Sequence, residues 1–395
     1  MRSEDLGVRL LERGSAQGPG QGGTPGTPRG RGRPVRRVEP LGRPAGGLLL
    51  RRSPPAARRD RGSAGACHPA GATGGEEVRN RQDRQGGQRR VKILITGGSG
   101  LLGYDLARCL DGKHEVTTWE GRADVDVTDA TAVAEAIRRA EPEVIIHSAG
   151  WRDVDGCERD VVKAYAVNSL GTRNVCLGAR AVGAVVAYIS TDAVFDGSGR
   201  RPYYEFDPPC PINAYGRSKW AAEREVTSLL RDFFIFRVPL LFGVGPARRV
   251  KENTLAQAIL AERAGRSVTA TDDQFSSPTF TYDIARALEA ILPTRRFGVY
   301  HLSDTGTCSR AGLLRAAIEI VGGDPGMVQG VSSSDLGRPA SRQRYSPLAS
   351  VCVEPLFGLT FRPWREALEE CVKSDSFRAL LSLGGSDGRD RQRGH

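Results

Sequence analysis

The stretch KILITGGSGLLG, Lys92 to Gly103, constrains the chain more than any other. An apolar run from Ile93 to Ile95 stops at Thr96, and Gly97, Gly100 and Gly103 then punctuate the entry to a helix expected over 101–110. A glycine triplet alone also occurs in ordinary turns; the strand before it and the helix after it supply the context that a dinucleotide-binding fingerprint needs. One glycine adopts a backbone conformation closed to other residues, one lets the main chain approach a pyrophosphate, and one permits close helix packing. The phosphates then sit on the unpaired amides of the helix N-terminus.

Downstream, strand and helix patterns alternate. This predicts an α/β fold, a Rossmann-type doubly wound parallel sheet covered on both faces. A second strand is expected over 115–119, and the residues at its end meet the adenosine ribose, where an acidic group favours free hydroxyls and an arginine favours a phosphate. Both are present, Glu120 and Arg122, so NADPH and NADH stay open, with Arg122 leaning towards NADPH. Asp126-Val127 reads as a short strand end near the adenine, or equally as a solvated loop. A helix over 130–139 and a buried strand over 144–147 follow, ending in Ser148-Ala149-Gly150, small residues suited to close approach by a cofactor. His147 reads as a core histidine hydrogen-bonded to backbone. A long helix is expected from about 160 to 181, carrying Asn168. The β run from Ala184 to Ser190 then delivers Thr191 and Asp192 to the carboxyl end of the sheet, where ligands bind in open α/β folds.

Tyr215 and Lys219 come 24 and 28 residues after Thr191, in YGRSK. Positions four apart share a helix face, so phenol and ammonium point into one site. A free tyrosine ionises near pH 10, and a neighbouring lysine cation favours the phenolate. The expectation is therefore a tyrosine that exchanges a proton near neutral pH.

Charge divides the chain in two. Residues 1–90 hold 19 Arg and 8 acidic residues, a net of +11 that equals the formal charge of the whole protein; the other 305 residues are neutral. That N-terminal stretch lacks Phe, Trp, Tyr, Ile and Lys, and 28 of its 90 residues are Gly or Pro. It cannot bury enough apolar surface to offset the entropy of ordering, so residues 1–90 are expected to be disordered. Three explanations compete: a phosphate-binding tail, disfavoured because it lacks aromatic residues for base stacking; a solvated tail without a role; and, favoured here, upstream sequence translated from an early start, with the working protein beginning near Val91. Leu48 to Leu50 is too short for a signal-peptide core, and no apolar run approaches membrane-spanning length, so a soluble, cytoplasmic chain with no membrane or nucleic-acid partner is expected. The 8 cysteines are scattered without C-x-x-C pairs or histidines at ligand spacing, so reduced thiols and no metal site are expected.

Taken together, ILITGGSGLLG, VNSLGTRNV around Asn168, STDAVFDG (190–197), PYYEFD, YGRSKWAAE, DDQFSSPT (272–279) and RYSPL resemble the extended short-chain dehydrogenase/reductase superfamily. Within it the likeness is to the dTDP-4-dehydrorhamnose reductase (RmlD-like) family, in family order from about residue 92 to 379. The resemblance implies NAD(P)H-dependent reduction of a nucleotide-activated 4-keto-6-deoxy sugar, the last step in making dTDP-L-rhamnose. Carried onto matching positions, Gly97, Ser99, Gly100, Leu101, Leu102 and Gly103 would hold the pyrophosphate. Arg122, Asp126, Val127, Ser148, Ala149, Gly150 and Asn168 would line the rest of the cofactor site. Thr191 would bind the substrate carbonyl, Tyr215 would protonate its oxygen, Lys219 would bind the nicotinamide ribose and lower the tyrosine pKa, and Asp192 would orient its neighbours. Trp151, Asp192, Val194, Phe195, Arg237, Gln274 and Arg344 would face the substrate, although Arg237 and Arg344 could each be a structural ion pair.

Four positions depart from the family pattern: Leu240 stands where a tryptophan is usual, Ala193 for a tyrosine, and Ala222 and Ser276 for glycines. They bear on the sugar rather than on cofactor chemistry. The expected organisation is a Rossmann domain over 91–240, a smaller substrate lobe over 241–383 and a disordered tail over 384–395, with a homodimer among the expected assemblies. Two other readings share the fold: an epimerase or dehydratase, which would need further acid/base residues, and a cofactor-binding regulatory subunit. The methionine adenosyltransferase beta subunit resembles the same family and matches RVPLLFG better.

Overall fold

The computed structural model describes residues 8–10 and 89–386. Six strands form the central sheet: β1 (Lys92–Thr96), β2 (Glu115–Trp119), β3 (Val144–His147), β4 (Val185–Thr191), β5 (Phe233–Val238) and β6 (Gly298–His301). Their spatial order is β2-β1-β3-β4-β5-β6, and every pairing is parallel. Chain order reverses at β1, so a crevice opens between the carboxyl ends of β1 and β3.

Side chains alternate across the sheet and build two cores. Ile93, Ile95, Phe234 and Phe236 face α1 (Leu101–Leu110) and a later helix, Thr281–Ile291, through Leu106, Leu110, Ile284 and Leu288. Leu94, Ile145, Val186, Tyr188 and Ile235 face the opposite way, against α2 (Ala130–Ala140), α3 (Gly171–Val182) and α4 (Ala214–Leu229). β4 is buried at all seven positions, as a parallel strand covered on both faces must be. We number Thr281–Ile291 as α5.

A third core lies beneath helices Thr254–Arg263, Arg310–Ile320 and Trp364–Lys373. A small sheet accompanies it, in which Val268–Thr271 pairs parallel with Val328–Val331. The substrate lobe expected over 241–383 is therefore not one continuous stretch. Within that range β6 pairs with β5, and α5 packs on α1, so the chain returns to the central layer before completing the lobe. Residues 89–386 all belong to one compact unit.

Four expectations need correcting or bounding. Asp126-Val127 is not a strand end: Asp126 accepts hydrogen bonds from the Thr128 amide and hydroxyl at 3.0 and 2.8 Å, a local turn that competes with extended pairing. The long helix is interrupted. Val161–Tyr165 is α-helical, Ala166–Leu170 is a π-turn, and α3 follows. In that turn the Thr172 hydroxyl donates to the Asn168 carbonyl at 2.6 Å. Val8–Leu10 is a strand antiparallel to Val268–Ala270, where no ordered element was expected; the rest of the reading over 1–88 lies outside the described residues. Helix Asp375–Ser386 carries order past 384, and residues 387–395 lie outside the description.

At Gly103 an added Cβ would lie 2.2 Å from the Gly97 carbonyl oxygen. Gly103→Ala must push α1 off β1 and is expected to lower stability by about 1–3 kcal/mol, read as a fall in Tm and a loss of cofactor affinity. An unchanged Tm would contradict the contact.

Candidate active site

At the carboxyl end of β1 the chain turns on Gly97, which has φ +75° and would bring a Cβ to 2.9 Å from the Ala149 amide nitrogen. The Gly100 amide donates to the Gly97 carbonyl at 2.9 Å, and α1 starts with no capping side chain and no acidic residue in its first turn. Its first amides are thus free to hold an anion. This bare backbone cradle fits a dinucleotide pyrophosphate, because it offers amides without a capping side chain or a carboxylate, and the missing side chains of Gly97 and Gly103 let the main chain close up behind it.

The cradle opens into a cleft of about 990 Å³. Of the residues expected to bind cofactor, all but Asn168 line it: Gly97, Ser99, Gly100, Leu101, Leu102, Gly103, Arg122, Asp126, Val127, Ser148, Ala149, Gly150, Tyr215 and Lys219. Trp151, Gln274, Thr191 and Asp192 line it as well. Asn168 lies behind the wall, buried, where its side-chain amide accepts from the Trp151 amide at 2.7 Å and donates to the Ser218 hydroxyl at 2.9 Å. It holds Trp151 in place rather than touching the cleft.

At the carboxyl end of β4, the Thr191 hydroxyl donates to Asp192 Oδ1 at 3.1 Å and accepts from the Ala193 amide at 3.1 Å. Asp192 also accepts from the hydroxyls of Ser346 at 2.6 Å and Ser276 at 3.2 Å. Burial raises its carboxyl above the ordinary range against the pull of those hydrogen bonds. Burial pushes the Tyr215 phenol up to about 12, against the opposing pull of the neighbouring Thr191 hydroxyl. The Lys219 ammonium donates to the Ile189 carbonyl at 2.7 Å, lies 4.3 Å above the Tyr188 ring, and is pushed down to about 7 by burial, against the favourable charge of Glu223. The expected lowering of the tyrosine by the lysine is therefore corrected. Desolvation is the largest effect on both groups, and the phenol stays protonated at neutral pH.

Three expected substrate residues do other work, and a fourth stays exposed. Arg237 is buried and grips the Glu223 carboxylate through Nε at 3.0 Å and Nη2 at 2.8 Å, so of its two readings the structural ion pair is the one realised. Val194 and Phe195 are buried, with Phe195 stacked on Tyr203 at 4.3 Å. Arg344 is exposed, and its carbonyl accepts from the Phe275 amide. His147 is a core residue as expected, but its ring bonds the Thr96 and Thr172 hydroxyls at 2.7 and 3.0 Å rather than backbone, and burial pushes it down to about 3.

The cleft also contains residues that sequence reasoning missed: Arg249, Arg310, Arg342, Gln343 and Ser346. Ser346 lies in RYSPL, the motif from which Arg344 was singled out; nothing in the motif marks which of its polar residues turns inward.

Residues 91–377 match the family described as the RmlD substrate binding domain. The dTDP-4-dehydrorhamnose reductase of Streptomyces griseus is 38% identical over 307 residues, covering 75% of this chain and 96% of that protein. The dTDP-4-dehydrorhamnose reductase of Mycobacterium tuberculosis is 36% identical over 288 residues, covering 71% and 92%. Among solved structures, a dTDP-4-dehydrorhamnose reductase from Bacillus anthracis in complex with NADP superposes with a TM-score of 0.67 at 31% identity, covering 72% of this chain and 99% of that one. The chain belongs to the RmlD family.

Within this RmlD-family chain, the four departures from the family pattern fall into two groups. Leu240, Ala193 and Ser276 all line the cleft, and the Leu240 amide donates to the Ser276 hydroxyl at 3.4 Å. Ala222 is buried in the core between α4 and the sheet, away from the cleft.

Lys219 binds its proton more weakly folded, at about 7, than at its ordinary 10.5. Its burial therefore lowers stability fully below pH 7, and the penalty fades as pH rises towards 10.5. Lys219→Met is expected to raise Tm at pH 6 and to raise it less at pH 9.5, while weakening cofactor binding. Thermal unfolding at the two pH values checks this; a gain that does not shrink with pH would contradict it.

Proposed function

We propose that the chain uses NADPH to reduce the 4-keto group of a nucleotide-activated 6-deoxy sugar, converting dTDP-4-dehydrorhamnose to dTDP-L-rhamnose, with NADH as an alternative reductant. The observation that carries this is a convergence: the Thr191 alcohol at the end of β4 and the Tyr215 phenol and Lys219 amine on α4 share one cleft with the glycine cradle, some ninety residues or more upstream in the chain.

The cradle of Gly97, Gly100 and Gly103 and the first amides of α1 hold the pyrophosphate, and Lys219 holds the nicotinamide ribose. When bound, the reduced nicotinamide supplies the hydride that turns the C4 carbonyl into an alkoxide. With the sugar bound, the Thr191 hydroxyl turns its proton from Asp192 to the carbonyl oxygen and orients that oxygen towards Tyr215. With its phenol held near 12, Tyr215 is fully protonated at neutral pH and is placed to donate that proton to the alkoxide as charge develops. Asp192, fixed by Ser276 and Ser346, orients Thr191. Leu240 and Ala193 give the sugar an aliphatic wall where the family pattern has aromatic rings.

The matched relatives named above are reductases, which does not favour a regulatory subunit or an epimerase. Among the described residues all seven cysteines are free and no helix is long and apolar enough to cross a membrane, which supports a cytoplasmic setting. Pairing of two copies is supported by Val161 and Leu170, apolar and exposed on the α-helical and π-turn stretches that precede α3.

Tyr215→Phe is expected to cut kcat by about 10²–10⁴-fold while leaving the NADPH dissociation constant almost unchanged, because the lost hydroxyl acts in the transition state. Consumption of NADPH with the keto-sugar, followed at its absorbance band, measures the first; a titration without sugar measures the second. Equal rates for the two proteins would remove the tyrosine from this role.

A further inference from the structure

We propose that Arg248 is the residue that fits this cleft to the 2′-phosphate of NADPH, by neutralising Glu120 and then taking the phosphate in its place. The proposal rests on the dinucleotide reading above and adds the residue that sets the choice between the two nicotinamides.

Glu120 directly follows β2 and lines the cleft where the adenosine ribose is held. Alone, a carboxylate there favours the free hydroxyls of NADH and repels a phosphate dianion. Arg122, the cation that the sequence offers against it, does not meet Glu120: its Nε pairs with Asp126 at 2.6 Å.

The cation that meets Glu120 comes from far along the chain. The short helical segment Ala247–Glu252 reaches the cofactor end of the cleft, which Arg249 lines. Arg248 Nη2 pairs with Glu120 Oε2, and the next residue, Arg249, donates from Nη2 to the Ser99 hydroxyl at 3.3 Å. Glu252 anchors the segment through Arg249 at 3.2 Å and Arg152 at 3.5 Å. Two adjacent guanidinium groups thus cover two different parts of one ligand. Arg249 lies on the glycine turn that takes the pyrophosphate, and Arg248 lies on the strand end that takes the ribose.

The side chains of Arg248 and Glu120 are 62% and 48% exposed. An exposed pair of this kind is weakly held, so a phosphate dianion can displace the carboxylate, and a guanidinium fork binds phosphate through two parallel hydrogen bonds. NADH, with a free 2′-hydroxyl, leaves the pair intact.

The test is a fluorescence titration of the purified full chain with NADPH and NADH, without sugar, for wild type, Arg248→Ala, Arg249→Ala and Glu120→Gln. Arg248→Ala is expected to weaken NADPH about 10-fold or more while leaving NADH nearly unchanged, and Glu120→Gln to tighten NADPH selectively. Arg249→Ala is expected to weaken both by a similar factor. Competition by 2′,5′-ADP and 5′-AMP should reproduce the split, with only 2′,5′-ADP losing affinity in Arg248→Ala. If Arg248→Ala affects both nicotinamides equally, or neither, the proposal is wrong. Failure of wild type to bind either dinucleotide would overturn the reductase reading, and this proposal with it.

Discussion

The approach of α1 to β1, in which Gly103 lies against the Gly97 carbonyl, governs the rest of the molecule. It places an uncapped helix N-terminus at the point where strand order reverses, so one end of the cleft is made of main chain rather than side chains. The same helix receives α5. Asp105 on α1, buried, accepts a hydrogen bond from Thr281 at the start of α5, and Gly243 presses so closely on Thr281 that a Cβ would lie 2.1 Å from its hydroxyl. That contact ties the segment after β5 to the nucleotide layer and launches it across the cleft towards Arg248 and Arg249. One backbone approach thereby fixes both the cradle and the strap above it.

The end of the cleft proposed to carry the chemistry is built on a different principle, the burial of charge. Lys219 is 6% exposed and donates to the carbonyl of Ile189. Glu223, one turn further along α4, favours its charge, but that carboxylate is already held by Arg237 and by the Ser190 hydroxyl at 2.5 Å. Its influence is too divided to restore an ordinary lysine. The result is a lysine near 7 beside a tyrosine near 12, a site that keeps its phenolic proton and bears a destabilised ammonium. Such a site costs stability and is kept for its chemistry.

How much of this could be read from the sequence follows from where the information lies. Strands buried on both faces read as apolar runs, so β1, β3 and β4 were legible, as were the glycine turn and the Tyr215–Lys219 spacing, both local patterns. The π-turn at 166–170 was not legible, since apolar periodicity runs through it without a break and the Thr172–Asn168 bond that accompanies it looks like any helical threonine. Strand order is invisible in one dimension, which hid the return of α5 and β6 to the central layer. Arginines were the hardest. Arg237 resembles a ligand residue until Glu223 is seen beneath it, while Arg249 and Arg310 lie in no motif and turn inward because of what surrounds them in space. Local chemistry was readable; the partners of long cations were not.

The proposed reaction draws on two parts of this fold, a main-chain cradle for the dinucleotide and, for the carbonyl, a half-buried phenol with a buried alcohol, with Leu240 and Ala193 lining the same cleft. The most direct measurement of that account follows an atom. When NADPH carrying deuterium at the transferable position of the nicotinamide C4 is incubated with dTDP-4-dehydrorhamnose and the full chain, the account predicts dTDP-L-rhamnose with deuterium on the sugar C4, detected by mass spectrometry and NMR. Bound cofactor that leaves the keto-sugar untouched, or product with its label absent or on another carbon, would contradict it.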